Sequence, residues 1–217
     1  MAALTTTERS RFFAQLPHAV VPDPYALAEP EPPSLLFVLA CGIVRLALDR
    51  FGQMGGDFNW PGEAEPSEDA KGLACFESIL FTLQCIGRFG FSKETVHKRD
   101  AFMDDLTFTV HAILWQMAAS DLEQQRFCLF FIGEYNSRAD ESSRYKWESP
   151  DEESRWNTVP YEYGKRLMNI LWRKVDPYRL AGLAAIELDS AAGLVPSVKA
   201  VIEKYEPGSG AYPLKLT

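Results

Sequence analysis

With 217 residues, 47% of them apolar and 12% aromatic, the chain is long enough for one domain with a substantial core. Its 30 acidic residues outnumber 22 basic ones, for a formal charge of -8. That balance excludes a general binder of nucleic-acid backbones, which needs cations to displace counterions. The four cysteines, Cys41, Cys75, Cys85 and Cys128, form no C-x-x-C pair, and each has apolar neighbours. They are expected to be buried free thiols of a reducing compartment, not zinc ligands.

Thr5 and Glu8 have capping-box spacing and predict a short helix over residues 5–15, with Phe12, Phe13 and Leu16 on its apolar side. Residues 17–33 carry six prolines. Fixed φ and missing donors make this stretch an extended N-terminal arm, which Val20, Val21, Tyr25 and Leu27 could hold against the domain. The early residues mix Glu8 with Arg9 and Arg11, so no secretory leader is expected. The apolar run from Leu35 reaches Arg45 after ten residues, short of the roughly 20 a membrane span requires. It predicts a buried core helix, capped by Ser34 and running to about Phe51, in a cytoplasmic protein without a membrane partner.

Ser67, with Glu68 and Asp69 behind it, opens the next predicted helix, which ends near Arg88–Gly90. Ser92 is expected to cap a helix reaching Ala119, and Asp121 to cap another. The run from Phe127 to Ile132 could be a buried strand or a helix; with no partner strand nearby, helix is expected. Residues 136–158 are polar and acidic and read as a loop. Beyond Pro160, prolines 160, 177 and 196 each suit the first turn of a further helix. Residues 206–217 form a tail. The whole is expected to be all-α, a single-domain multi-helix bundle of about seven to eight helices over residues 1–217.

Two groups of residues are candidates for chemistry. The first is the stretch HKRDAFMDDLTFTVH, residues 97–111. On a helix, His97, Asp100, Asp104 and His111 share one stripe, beside a core face of Phe102, Leu106, Val110, Ile113 and Met117. A rise of ~1.5 Å per residue separates the two histidines by about 21 Å, so they cannot share an ion. What remains is a His97–Asp100–Asp104 half-site suited to a divalent transition metal. The plainer expectation is a solvated, ion-paired helix face, with no cofactor and with His111 a core-edge histidine making one hydrogen bond.

The second group is the 136–158 segment, where Tyr145, Trp147 and Trp156 stand among Glu148, Asp151, Glu152 and other acids. Aromatic anchors in an acidic setting suit a protein partner with a basic surface. Alternatively, Trp147 and Trp156 fold back onto the domain as a lid. No G-x-S-x-G, no phosphate-binding glycine loop and no basic aromatic surface is present, so neither catalysis of those kinds nor a nucleic-acid partner is expected. The residues favour a soluble binding or regulatory protein acting through its acidic, aromatic-bearing surface, neutralising a basic partner as an immunity or antitoxin protein does. The alternatives are a metal-dependent enzyme built on His97, Asp100 and Asp104, and a carrier of an apolar small molecule.

Overall fold

The computed structural model describes residues 3–26, 33–52, 64–147 and 158–207. Seven α-helices follow in order: α1 (Thr6–Gln15), α2 (Leu35–Ala47), α3 (Glu68–Phe89), α4 (Arg99–Ala118), α5 (Gln124–Ser142), α6 (Val159–Trp172) and α7 (Pro177–Lys204). The fold is all-α. Among the described residues no strand forms, only an isolated parallel bridge between Lys146 and Thr158.

Helix starts follow local chemistry. Thr5 accepts from the Glu8 amide while the Glu8 carboxylate accepts from Thr5, closing the capping box on α1. Ser34 and Ser67 accept from the amides of Phe37 and Ala70, three residues on. The run from Phe127 to Ile132 lies inside α5 and is helical. Asp121 does not cap that helix; its carboxylate pairs with Arg11 at 2.8 Å, and Glu123 holds the N-cap position without a side-chain bond. Nor does Ser92 open α4. Its amide donates to the Thr95 hydroxyl, a 3-10 turn spans Val96–Lys98, and the α-helix begins at Arg99. α5 extends through Ser142, so the first part of the expected 136–158 loop is helical. Pro196 lies inside α7 and does not start a separate helix. Its missing amide leaves the Ala192 carbonyl without a helical donor, and Ala192 is exposed to water.

α3 runs through the centre. It presents buried side chains around most of its circumference, from Ala74 to Ile86, and it alone among the described helices is long and apolar enough to cross a membrane by length and composition, with 72% of that window buried inside the fold. α1 lies directly on it at Gly72, where an added Cβ would come 1.7 Å from the Phe13 carbonyl oxygen. Phe12 then seats its ring against Phe76 of α3 and Phe127 of α5, at 5.8 and 5.0 Å between centroids. Phe76 and Phe130 stack at 5.6 Å. Cys41, Cys75 and Cys85 are buried free thiols and Cys128 is partly exposed; burial pushes the Cys41 thiol up to about 11. Of the arm, Val21 packs on the core, whereas Val20 and Tyr25 are exposed; Leu27 lies outside the described residues.

His111 is not at the core edge. It is 1% exposed, and neither ring nitrogen has a hydrogen-bond partner of normal geometry. Its ring stands between Phe127 and Phe131 of α5, at 5.5 and 5.9 Å, with Phe108 of its own helix at 5.7 Å. Burial among these rings drives its pKa down from 6.5 to about 4, an effect the Phe108 carbonyl offsets only in part.

Two stability measurements follow from this packing. Gly72→Ala forces α1 off α3 and is expected to cost about 2 kcal/mol or more. Gly133→Ala, at an exposed site in α5 where a Cβ meets nothing within 4 Å, should instead stabilise by up to about 1 kcal/mol. Urea titration of the two variants checks both signs. For His111 the folded state holds the neutral ring, so its stability is fully present above the unfolded value of 6.5 and is lost as pH falls toward 4. Between pH 7.5 and pH 5 that loss is about 2 kcal/mol. His111→Leu should be more stable than the parent, and the gap should widen by about that amount at the lower pH. Equal gaps at the two pH values would show that the imidazole is not excluded from protonation.

Candidate functional site: the cleft where α3, α4 and α5 meet

The ends of three helices frame an open cleft of about 400 Å³. The last turns of α3 contribute Gln84, Gly87 and Arg88. The first turns of α4 contribute Arg99, Asp100, Met103 and Asp104. α5 supplies Tyr135, Ala139, Ser142 and Ser143, and Trp147 closes the wall just beyond that helix. Steps of three and four along α4 put Asp100, Met103 and Asp104 on the cleft side, and the same register carries Thr107 and His111 into the protein behind them. Burial pushes the Tyr135 phenol above its ordinary value, with the Asp104 charge adding to the rise. The Tyr135 hydroxyl reaches toward Thr107 without closing a bond of normal geometry, and the Thr107 hydroxyl is buried.

Behind this cleft lies a second, much smaller pocket of about 20 Å³, room for roughly one water. Gln84 and Ser142 border both spaces, and the Ser142 hydroxyl donates to Gln84 Oε1 at 2.7 Å. Here Glu77, 2% exposed, is held by two arginines. Arg138 of α5 donates from Nε to both carboxylate oxygens at 3.0 Å and from Nη2 to Oε1 at 2.6 Å. Arg166 of α6 donates from Nη1 to Oε2 at 3.1 Å. Glu134, 3.3 Å from Arg138, and Glu141, against Arg166, add two more acids, and Arg9 lies 3.6 Å from Glu134. The Arg138 fork and the Arg166 bond fix direction as well as charge, so α5 and α6 are set against α3 at this point.

Aromatic packing completes the wall. Tyr163 stacks on Phe81 at 4.1 Å, Phe81 faces Trp147 at 6.2 Å, and the Trp147 ring meets Phe89 edge-on at 5.4 Å. The Val159 amide donates to the Lys146 carbonyl at 2.8 Å, anchoring the chain beside Trp147 to the start of α6.

The expected site residues are divided by this geometry. Asp100 and Asp104 line the cleft together; His97 stands apart from it, exposed in the 3-10 turn before α4. The Asp100 side chain is 92% exposed and lies 3.5 Å from Arg99. Among the described residues no three His, Cys, Asp or Glu side chains gather as a metal ion would require. Trp147 belongs to the cleft wall, and Tyr145 borders the small pocket. Both pack against the core, and Trp147 is thus folded back onto the domain. Glu148, Asp151, Glu152 and Trp156 lie outside the described residues. Arg88, Arg99 and Tyr135 were not singled out from the sequence, because each looks like an ordinary residue near a helix end. Glu77 did carry a signal: it is an acid inside LACFESILF, an otherwise apolar stretch.

Removing the Glu77 carboxylate leaves two partly buried guanidinium groups without their shared partner. Glu77→Ala is expected to destabilise by about 3 kcal/mol or more. Adding Arg138→Met should cost less than the sum of the two single changes. Strict additivity in denaturant titrations would show that the two groups do not act as one unit. Comparison of the chain with protein-family models, with curated proteins and with solved structures finds no match.

Proposed function

We propose that this is a binding protein whose working site is the α3–α4–α5 cleft, and that it holds a small polar molecule there. The observation that carries this reading is the lining. A space of about 400 Å³ with two arginines, two aspartates, a tyrosine and a tryptophan on its walls has the size of a small-ligand pocket and offers both signs of charge to a polar molecule. Its mixed charge differs from what a carrier of apolar molecules would need. In this reading Asp100 and Asp104 act as charge partners for a ligand, since His97 stands outside the cleft. Trp147 works as a fixed wall, its ring already packed on Phe81 and Phe89.

A second reading retains a protein partner with a basic surface. It draws on the net charge of -8 and on the acids Glu148, Asp151 and Glu152. The described acids at the end of α5 lend it less, because Glu134 and Glu141 are engaged by Arg138 and Arg166.

Ala139 offers a clean test, being exposed on the cleft side of α5. Ala139→Trp should fill the cleft and leave the fold intact, as judged by circular dichroism and melting temperature. Protein purified from cells under native conditions is denatured and its small-molecule extract read by mass spectrometry. The expected result is a compound released by the parent and absent from Ala139→Trp. A parent preparation releasing nothing that the variant lacks would overturn the reading.

A further inference from the structure

The cleft charges are arranged in a way that narrows the ligand. Arg99 and Asp100 face each other at 3.5 Å. Arg88 and Asp104, the other two, have no ion-pair partner among the described residues. They line the same cleft, where α3 meets α4: a Cβ on Gly87 would lie 3.7 Å from Met103 Cε, and Arg88 and Asp104 are the next residues along their helices. A cation and an anion thus stand beside one direct α3–α4 contact, both exposed, without joining each other.

We infer that the cleft binds a free aromatic α-amino acid, with the ligand carboxylate on Arg88, its ammonium on Asp104 and its ring against Trp147 and Tyr135. Three features support that ligand class. The planar guanidinium fork of Arg88 suits a carboxylate bidentately. Asp104 supplies the matching acceptor for an ammonium, and the cleft as a whole, with two cations and two anions on its walls, carries no net charge to favour a purely anionic or purely cationic molecule. Tyr135, Trp147 and Met103 supply the aromatic and thioether part of the lining, which suits a flat apolar side chain. This inference rests on the cleft being a ligand site, as proposed above, and adds which ligand it selects.

Three probes separate the contributions: L-phenylalanine, phenethylamine without the carboxylate, and 3-phenylpropanoate without the ammonium, each titrated calorimetrically into the full-length protein. L-phenylalanine should bind at least about tenfold more tightly than either single-charge analogue, the effect of one charge-assisted hydrogen bond. Arg88→Met should erase its advantage over phenethylamine while keeping that over 3-phenylpropanoate, and Asp104→Asn should do the reverse. Both residues are exposed, so both variants should melt within a few degrees of the parent. Equal binding of L-phenylalanine and either analogue overturns the inference, as does no binding of any probe. An analogue that binds the parent as tightly as L-phenylalanine does, but not Ala139→Trp, would overturn the zwitterion and keep the cleft. So would a co-purified compound of other chemistry lost in that same variant.

Discussion

The buried carboxylate of Glu77 is the constraint on which the arrangement of α3, α5 and α6 depends. An ionised group at 2% exposure is tolerable only when its charge and lone pairs are met. Here the answer comes from two separate helices, Arg138 on α5 and Arg166 on α6. Hydrophobic burial alone would let these helices slide along α3 at little cost, because apolar contact is not directional. The two guanidinium groups remove that freedom. With α5 fixed at this level, its last turn ends beside Gln84, which Ser142 bonds, and the space between it, the last turns of α3 and the start of α4 is the cleft.

α4 carries a gradient of polarity along a single stripe. Asp100 and Asp104 stand in water, Thr107 is buried without a good partner, and His111 is enclosed by phenylalanine rings. Each step inward strips away hydration that nothing in the helix replaces. The burial that makes His111 a poor base goes with an apolar, closely packed α4–α5 interface there, while the same interface opens at the Asp104 level.

Much of the fold was legible because it depends on local chemistry. The Thr5–Glu8 box and the Ser34 and Ser67 caps lie within three residues of what they bind, and the apolar run at Phe127 had no strand to pair with. What escaped was set by distant partners. Asp121 is drawn to Arg11 on α1, so it is lost as a cap. Trp147 could be read either as a partner anchor or as folded back, because nothing in its neighbourhood of the sequence reveals Phe81 and Phe89. His111 was expected to keep one hydrogen bond, but α5 offers only phenyl rings on that side. In the candidate site, Asp100 and Asp104 could be placed together by helical spacing alone. Arg88, Tyr135 and Trp147 come from other segments, and no periodicity within α4 could have shown them.

The late start of α4 joins these threads. Lys98 donates to the carbonyl of Tyr205 at 2.9 Å and reaches those of Ile202 and Glu203 at 3.4 Å, placing its charge at the end of α7, where the helix dipole favours a cation. The Tyr205 hydroxyl donates to the Asp105 carboxylate at 2.6 Å, so the same two segments are pinned again about two turns further along. Held from that side, residues 96–98 adopt a tighter 3-10 turn and His97 leaves the Asp100–Asp104 stripe. The contact that removes the third ligand of a metal half-site therefore also sets Arg99 and Asp100 at the cleft mouth. One distant lysine contact thus turns a stripe that resembles a metal site in the sequence into one wall of a cleft with both signs of charge.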